Sequence, residues 1–461
     1  MASGSEGVLE TAAGALRGQR VSGMHCYRAI PYAAAPVGAL RFSPPQPAQR
    51  WAGVRDATRP GPVAPQTPSR LREVMGDFER AQAEDCLTLT VWTPGADAQR
   101  RPVLVWLHGG AFMTGGGDLP WYDGGHLARE GDVVVVAVNY RLGALGFLRA
   151  AGVSPGNLGL LDQRLALQWV QQHIAAFGGD AAQVTLMGQS AGALSAALAL
   201  TAHEPPPVQR ALLMSAPLGL APVTVEQAER VGEAYLRALG LDPQAATVGE
   251  QVRRLPLPEL MRAQAAAGRF HAEQLARPGD AAPPFLPVAD GATVPSPGDH
   301  PAALRGAAAS QDVLIGTTRD EAVAFAGADA GMTEQMFAAP SSRWAEHAAQ
   351  AGRQAHLYRF DWAPPGGQAP HCIELPFVFG TRAAFADAPM LAGAAEADID
   401  ALSARLRAHW LAFVRTGNPN ADGHPPWPAC SATRAACQSL PASPGDGANL
   451  VFHPTAQQET R

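Results

Sequence analysis

Val184-Thr185-Leu186-Met187-Gly188-Gln189-Ser190-Ala191-Gly192-Ala193 decides the fold of this chain. It reads as an apolar strand over 184–187, then Gly-x-Ser-x-Gly, then an alanine- and leucine-rich helix running to about residue 200. A serine between two glycines at a strand-to-helix reversal has the form of a nucleophile elbow. Such a turn holds the serine in a strained backbone conformation, and side chains at positions 188 and 192 would collide with neighbouring segments. The hydroxyl then stands clear of the sheet at the positive end of the following helix. Ser190 is therefore the candidate nucleophile. The competing reading, a Gly/Ser-rich turn without chemistry, fits the flanking strand and helix less well.

Outward from this turn, strands and helices alternate. Residues 102–107 and 133–138 are continuous apolar runs, the mark of strands buried on both faces. A helical spacing of Leu165, Leu167, Trp169, Val170 and Ile174 predicts a helix over 163–177. Core strands are expected at 211–214, 312–316 and 356–360, and a long helix at 396–416. The fold class is α/β, with a mostly parallel central sheet between two layers of helices. Residues 7–35 read as short strands with glycine turns, a small antiparallel sheet. Residues 36–70, rich in proline, read as ordered coil, 87–93 as a half-buried strand, and 450–452 as an edge strand. Helical patterns without strong strands begin at 221, so a cap over the pocket is expected within about 221–310. With no repeat and no low-complexity linker, residues 1–461 are read as one domain.

Composition narrows the class of function. A chain of 461 residues with 47% hydrophobic and 16% charged residues has ample material for a core. A net charge of −6 gives no reason to expect nucleic acid as a partner, and every basic residue other than histidine is arginine. No run approaches the roughly 18 apolar residues of a membrane span. The amino terminus lacks the pattern of a secretory signal. Cys26, Cys86, Cys372, Cys430 and Cys437 are scattered, without metal-type spacing, which points to a reducing, cytoplasmic setting. Oligomeric state is not legible.

A serine hydroxyl needs a base, an orienting acid and an oxyanion site. For an elbow serine the chain order is serine, acid, histidine. After the strand at 312–316, Asp320 and Glu321 offer two carboxylates. His371 sits in a loop beyond the next strand; His347 and His356 compete, although each falls within an expected helix or strand. His108-Gly109-Gly110-Ala111-Phe112 follows the strand ending at 107, about 80 residues before the elbow. The N–H groups of Gly109, Gly110 and Ala191 are the candidate oxyanion donors. No metal or organic cofactor is needed for this chemistry.

These stretches do not stand alone. Glu84-Asp85-Cys86-Leu87, Asn139-Tyr140-Arg141-Leu142-Gly143, Gly156-Asn157-Leu158-Gly159-Leu160-Leu161-Asp162-Gln163 and Phe177-Gly178-Gly179-Asp180 fall in order around them. Glu374-Leu375-Pro376-Phe377-Val378-Phe379-Gly380 and Thr416-Gly417-Asn418-Pro419-Asn420 come later. Together they resemble, over nearly the whole chain, the type-B carboxylesterases of bacterial type, in the α/β-hydrolase superfamily that also holds the cholinesterases. The resemblance implies that the acid is Glu321 rather than Asp320 and the base His371. It implies hydrolysis of carboxylic esters through an acyl-enzyme on Ser190, and the apolar pocket walls expected below favour small to medium, mostly uncharged ones. The same apparatus could serve carbamates or aryl amides. A non-catalytic cholinesterase-like binding protein is the alternative of another class, and the retained triad residue types argue against it.

Other motif residues carry structural expectations: an Arg141–Asp162 pair, Glu84 with an arginine such as Arg41, and Asp180 in a turn. Pocket walls are expected from Phe112, Met113, Trp121, Met214, Leu218, Phe270 and Phe325. The chain also departs from the family. Ala64 stands where the disulfide partner of Cys86 would fall, so Cys86 is expected to be free. Ser215-Ala216-Pro217 replaces a serine-glycine-serine, which puts a hydroxyl behind the triad in doubt. Only 50 positions separate Glu321 from His371, which predicts a more open or differently walled gorge.

Overall fold

The structure, a computed structural model, describes residues 7–276, 282–329, 331–432, 435–440 and 449–452. In chain order the strands are β1 (Val8–Thr11), β2 (Gly14–Arg17), β3 (Gln19–Val21), β4 (Met24–Pro31), β5 (Val54–Asp56), β6 (Thr88–Thr93), β7 (Arg101–Leu107) and β8 (Val134–Val138). They continue as β9 (Arg149–Ala150), β10 (Ser154–Pro155), β11 (Gly179–Gln189), β12 (Arg210–Met214), β13 (Asp312–Thr318), β14 (Ala355–Phe360), β15 (Ala435–Leu440) and β16 (Asn449–Phe452). The main sheet runs β16-β15-β14-β13-β12-β11-β7-β8-β6-β4-β3. Every neighbouring pair from β15 across to β8 is parallel; the pairs at both ends are antiparallel.

Alternate residues of each central strand feed two apolar layers. Val103, Val105 and Leu107 of β7 pack on one face, with Leu186, Leu213 and Ile315 of neighbouring strands. Leu104 and Trp106 face the other, with Met187, Leu212 and Leu314. The first layer is covered by the helices Leu158–His173, Ala191–Leu200 and Ala339–Gln350, whose Ala166, Val170, Ala197 and Trp344 are buried in it. The second is closed by the helix Glu396–Thr416, which spans the expected residues and buries Leu402, Leu406, Trp410 and Phe413. A strand with helices on both sides loses water from both faces, which is why residues 103–107 of β7 and all of β8 are apolar and buried.

Two sequence expectations change at the amino end. Residues 24–31 do not belong to the small sheet; as β4 they pair with β6 in the main one, with a register shift between Tyr27 and Ile30. The small sheet is β1-β2-β5, and its β2–β5 pair is parallel, so it is mixed rather than antiparallel. Strand β6 is buried along all six residues, not half-buried. Its Thr93 hydroxyl donates to the Phe177 carbonyl at 2.8 Å, so a polar residue in the alternation is still compatible with full burial.

The cap region begins with the helix Val225–Ala238, started by a capping box in which Thr224 and Gln227 satisfy each other's backbone N–H groups. It packs on the helix Leu257–Gln274 through buried Val231, Tyr235, Leu260 and Ala263. Arg41 fastens this region: it pairs with Glu84 at 2.5 Å and donates to the Arg253 and Leu255 carbonyls at 2.8 and 2.7 Å. Among the described residues no helix is long and apolar enough to cross a membrane.

Candidate active site

Strand order reverses between β7 and β11: the chain goes from β7 to β8 on one side and returns to place β11 on the other. Such a switch point leaves a crevice beyond the carboxyl ends of the two strands. His108 follows β7 and Ser190 follows β11, with Leu107 in register with Gly188. The two stretches singled out in the sequence therefore open on the same crevice.

Ser190 has φ +55° and ψ −125°, a region that L-residues rarely occupy, and it leads directly into the helix Ala191–Leu200. Neighbouring backbone forces the turn. A Cβ on Gly188 would lie 2.3 Å from the Gly192 carbonyl oxygen, and one on Gly192 only 2.0 Å from that of Leu107. The Ser190 N–H is held by the Met214 carbonyl at 2.8 Å. Across the crevice, a Cβ built on Gly109 would sit 3.1 Å from Ser190 Cβ, so that loop lies against the serine. The N–H groups of Gly109, Gly110 and Ala191 donate to no acceptor among the described residues. The His108 ring is fully buried, stacks on Tyr140 with centroids 4.3 Å apart, and donates from Nδ1 to the Gly109 carbonyl. Burial lowers its pKa to about 4, so it is a neutral prop for the loop.

Glu321 and His371 are brought together from either end of their 50-residue segment, both fully buried. Glu321 Oε2 accepts from His371 Nδ1, and Glu321 Oε1 accepts from the Thr318 N–H at 2.8 Å. With the Nδ1 proton committed to the carboxylate, Nε2 is left as an acceptor, and the Gln189 carboxamide donates to it at 3.3 Å. Gln189 is the residue before Ser190, so Nε2 faces the elbow. The rings of Phe325 and Phe337 flank the imidazole at centroid distances of 5.1 and 5.3 Å. Asp320 lies apart: it holds Arg319 and the Ala369 N–H. His347 is half-buried on the helix Ala339–Gln350, and His356 is buried within β14.

Ser190 lies where two cavities meet. One, of about 70 Å³, is lined by Phe112, Leu194, Leu286, Met336 and Phe337 among others, with no charged side chain. The other, of about 400 Å³, includes Met113 and the loop at 67–71. Ala111 and Phe325 stand between them, contributing to both. Of the expected walls, Phe112, Met113 and Phe325 are thus at the serine. Trp121 is not: it stacks on Phe385 at 5.3 Å and donates to the Ala384 carbonyl, inside the second apolar layer. Met214 ends β12 in that same layer, Leu218 is buried in the first, and Phe270 sits half-buried on the cap helix away from both cavities.

Sequence reasoning missed Phe337 and Met336, which lie on a π-helical turn, Thr333–Ala338, with no motif to mark them. The turn is clamped by a bond from the Gly219 N–H to the Met336 carbonyl at 3.0 Å. It also gave no role to Gln189 or Glu374, although both stand in quoted motifs. Of Ser215-Ala216-Pro217, the retained Ser215 donates from Oγ to Glu374 at 3.4 Å, while Pro217, in place of the second serine, brings no hydroxyl and lines the smaller cavity. The structural expectations hold elsewhere. Arg141 pairs with Asp162 at 2.7 Å in full burial, and all five cysteines, Cys86 included, are free. Asp180 is in the first residues of β11 rather than in a turn, paired with Arg100.

The model of the carboxylesterase family matches residues 5–331 and 327–444. The N-octanoylanthranilate hydrolase of Rhodococcus erythropolis, a probable assignment for that protein, is 40% identical over 90% of this chain and 93% of its own. The phenmedipham hydrolase of Pseudarthrobacter oxydans is 36% identical over 91% and 92%. Among solved structures, a PNB esterase superposes with a TM-score of 0.84 at 32% identity, covering 95% of this chain and 96% of that one. An elbow at the switch point, a charge-free cavity beside it and these matches agree: the chain belongs to the carboxylesterase family, and it is a carboxylic ester hydrolase built on the α/β-hydrolase fold.

Proposed function

We propose that ester hydrolysis in this chain runs through an acyl-enzyme on Ser190, with His371 as base and Glu321 as its orienting acid. The observation that carries this reading is the buried Glu321–His371 contact, with Nε2 turned to the elbow that projects Ser190. Ser190 Oγ attacks the acyl carbonyl and passes its proton to Nε2. The carbonyl carbon becomes tetrahedral, and its oxyanion is received by the N–H groups of Gly109, Gly110 and Ala191, which no acceptor among the described residues occupies. His371 returns the proton to the leaving alcohol. Water then enters with the same base and releases the acid.

The cavity lined by Leu194, Leu286 and Met336 suits an uncharged, apolar group, which supports small to medium, uncharged esters as substrates. Cleavage of an acyl–nitrogen bond by the same residues is the second reading, favoured by the relative named for N-octanoylanthranilate. A cytoplasmic setting belongs to the same proposal and is supported by five buried cysteines without a disulfide. The test is a short-chain p-nitrophenyl ester with wild-type protein and Ser190→Ala, together with an organophosphonate probe. Turnover should vanish in the variant and the probe should label Ser190; undiminished turnover would refute the mechanism.

A further inference from the structure

The loop that carries the glycine donors is strained. Ala111 and Phe112 are consecutive non-glycine residues in the left-handed region, at φ +56° and +59°. Such a conformation persists only where its surroundings over-determine it. Within the loop, the Gly110 carbonyl accepts from the Met113 and Thr114 N–H groups at 3.0 Å each, and from Thr114 Oγ1 at 3.3 Å. The entry is held by β7 and by Tyr140, whose hydroxyl donates to the His108 carbonyl at 2.7 Å. The exit, at Gly115, is gripped by Gln66, a buried residue of the proline-rich coil. Its Oε1 accepts the Gly115 N–H at 2.6 Å, and its Nε2 donates to the Gly115 carbonyl at 2.8 Å. The second Nε2 proton goes to the Ala64 carbonyl at 2.9 Å, which fixes which way the carboxamide points. Gly115 in turn lies against the donor stretch. A Cβ there would stand 2.5 Å from His108 Nδ1 and 2.8 Å from the Gly109 carbonyl oxygen. Gln66 itself lines neither cavity at Ser190, so whatever it does for the reaction passes through this loop.

We propose that Gln66 is a positioning residue for hydrolysis: by gripping Gly115 it keeps the Gly109 and Gly110 N–H groups aimed at the developing oxyanion. Donors aimed in advance need no reorganisation when the charge forms. A loop free to relax therefore gives up transition-state stabilisation and little binding of the ester itself. Gln66 also leads directly into the loop at 67–71, so one side chain ties a wall of the larger cavity to the oxyanion loop. The proposal rests on the reading of Ser190 as nucleophile and of these glycines as the oxyanion site.

The experiment compares wild-type protein, Gln66→Met and Gln66→Asn on p-nitrophenyl acetate, with each rate divided by the Ser190 that an organophosphonate titrates. Methionine keeps the volume without the polar atoms; asparagine keeps the carboxamide on a stem one methylene shorter. In both, kcat should fall about 10–100-fold, less than the loss of a donor outright, while KM stays within about 2-fold. An alkyl trifluoromethyl ketone, to which Ser190 adds to give a hemiketal oxyanion, should bind more weakly by the factor that kcat/KM loses. A merely structural role would lower the unfolding temperature and leave kcat per titrated serine alone, and that result overturns the proposal. So does a loss confined to KM, or an unchanged affinity for the ketone. Should the methionine variant fail to fold, the asparagine variant decides by the same criteria. Labelling separates the two failures. An unlabelled Ser190 in wild-type protein sinks the nucleophile and this proposal with it, whereas a labelled Ser190 with unchanged kinetics in the variants sinks only the role of Gln66.

Discussion

The two sides of the crevice are built by different means. On the elbow side, position is set by main chain against main chain: a single methyl on Gly192 would come within 2.0 Å of the Leu107 carbonyl oxygen, and Ser190 is pinned by the Met214 carbonyl. On the other side, the 50 residues from Glu321 to His371 pass through a 3-10 turn, a π-helical turn, the helix Ala339–Gln350 and β14 before the histidine returns. Their approach to the site is through side chains, Phe325 and Phe337 above all. Backbone contacts admit almost no substitution, and side-chain contacts admit many. The first side should therefore break abruptly and the second by degrees.

The sharpest break is expected at the elbow. Ser190→Ala should lower kcat on a p-nitrophenyl ester by about 10⁴-fold or more, because the remaining residues of such a set act only through the missing one. Glu321→Gln should cost roughly 10³–10⁴-fold by freeing the imidazole to take the wrong tautomer, while Asp320→Asn, which touches Arg319 and the Ala369 N–H, should stay within a few-fold. Equal losses at 320 and 321 would reassign the acid. Gly192→Ala tests the backbone claim directly: forcing a Cβ against Leu107 should destabilise the fold by about 3 kcal/mol in urea unfolding. A neutral outcome there would mean that the elbow can relax and the contrast between the two sides fails.

The second side also holds the group whose charge state opposes folding. Glu374 has its carboxyl raised from 4.5 to about 7 in the folded protein, so the folded state binds the extra proton between those values. Its favourable contribution is complete below pH 4.5 and is lost as pH rises through 7. Relative to Glu374→Gln, wild-type protein should therefore lose stability between pH 4.5 and 8, by about 3 kcal/mol in chemical unfolding. A difference independent of pH would show that the carboxyl is ionised throughout.

This contrast also governs what could be read before folding. Gly188, Gly192, Gly109 and the helix at 396–416 were legible because a turn of fixed geometry or a long apolar period admits few sequences. Glu321 and His371 were found through chain order and resemblance rather than by any local signal. Trp121 and Met214 were expected at the pocket and lie in the layer beneath it, since an apolar side chain carries no mark of which cavity it faces. Phe337 had no mark either: a π turn has no sequence signature, and this one, which carries the ring to the imidazole, is held to the loop after β12 by a bond from the Gly219 N–H to the Met336 carbonyl. Thr93 of β6 misled for a related reason, its hydroxyl being satisfied by the Phe177 carbonyl far along the chain.

The finest test of the graded side is Phe337→Leu. Leucine keeps the apolar volume that the cavity needs but removes the ring that stands 5.3 Å from the His371 imidazole and stacks at 6.3 Å on Phe325. An aromatic pair contributes about 0.5–1.5 kcal/mol beyond the area it buries, and a ring within about 6 Å of a cation adds attraction once that cation forms. In the proposed reaction His371 takes the serine's proton and becomes an imidazolium in the transition state. The ring should then help the transition state more than the bound ester, so Phe337→Leu should lower kcat about 2–10-fold and leave KM nearly unchanged. If KM rises instead and kcat holds, Phe337 serves as a wall of the ester cavity and its place beside the imidazole contributes nothing to the reaction.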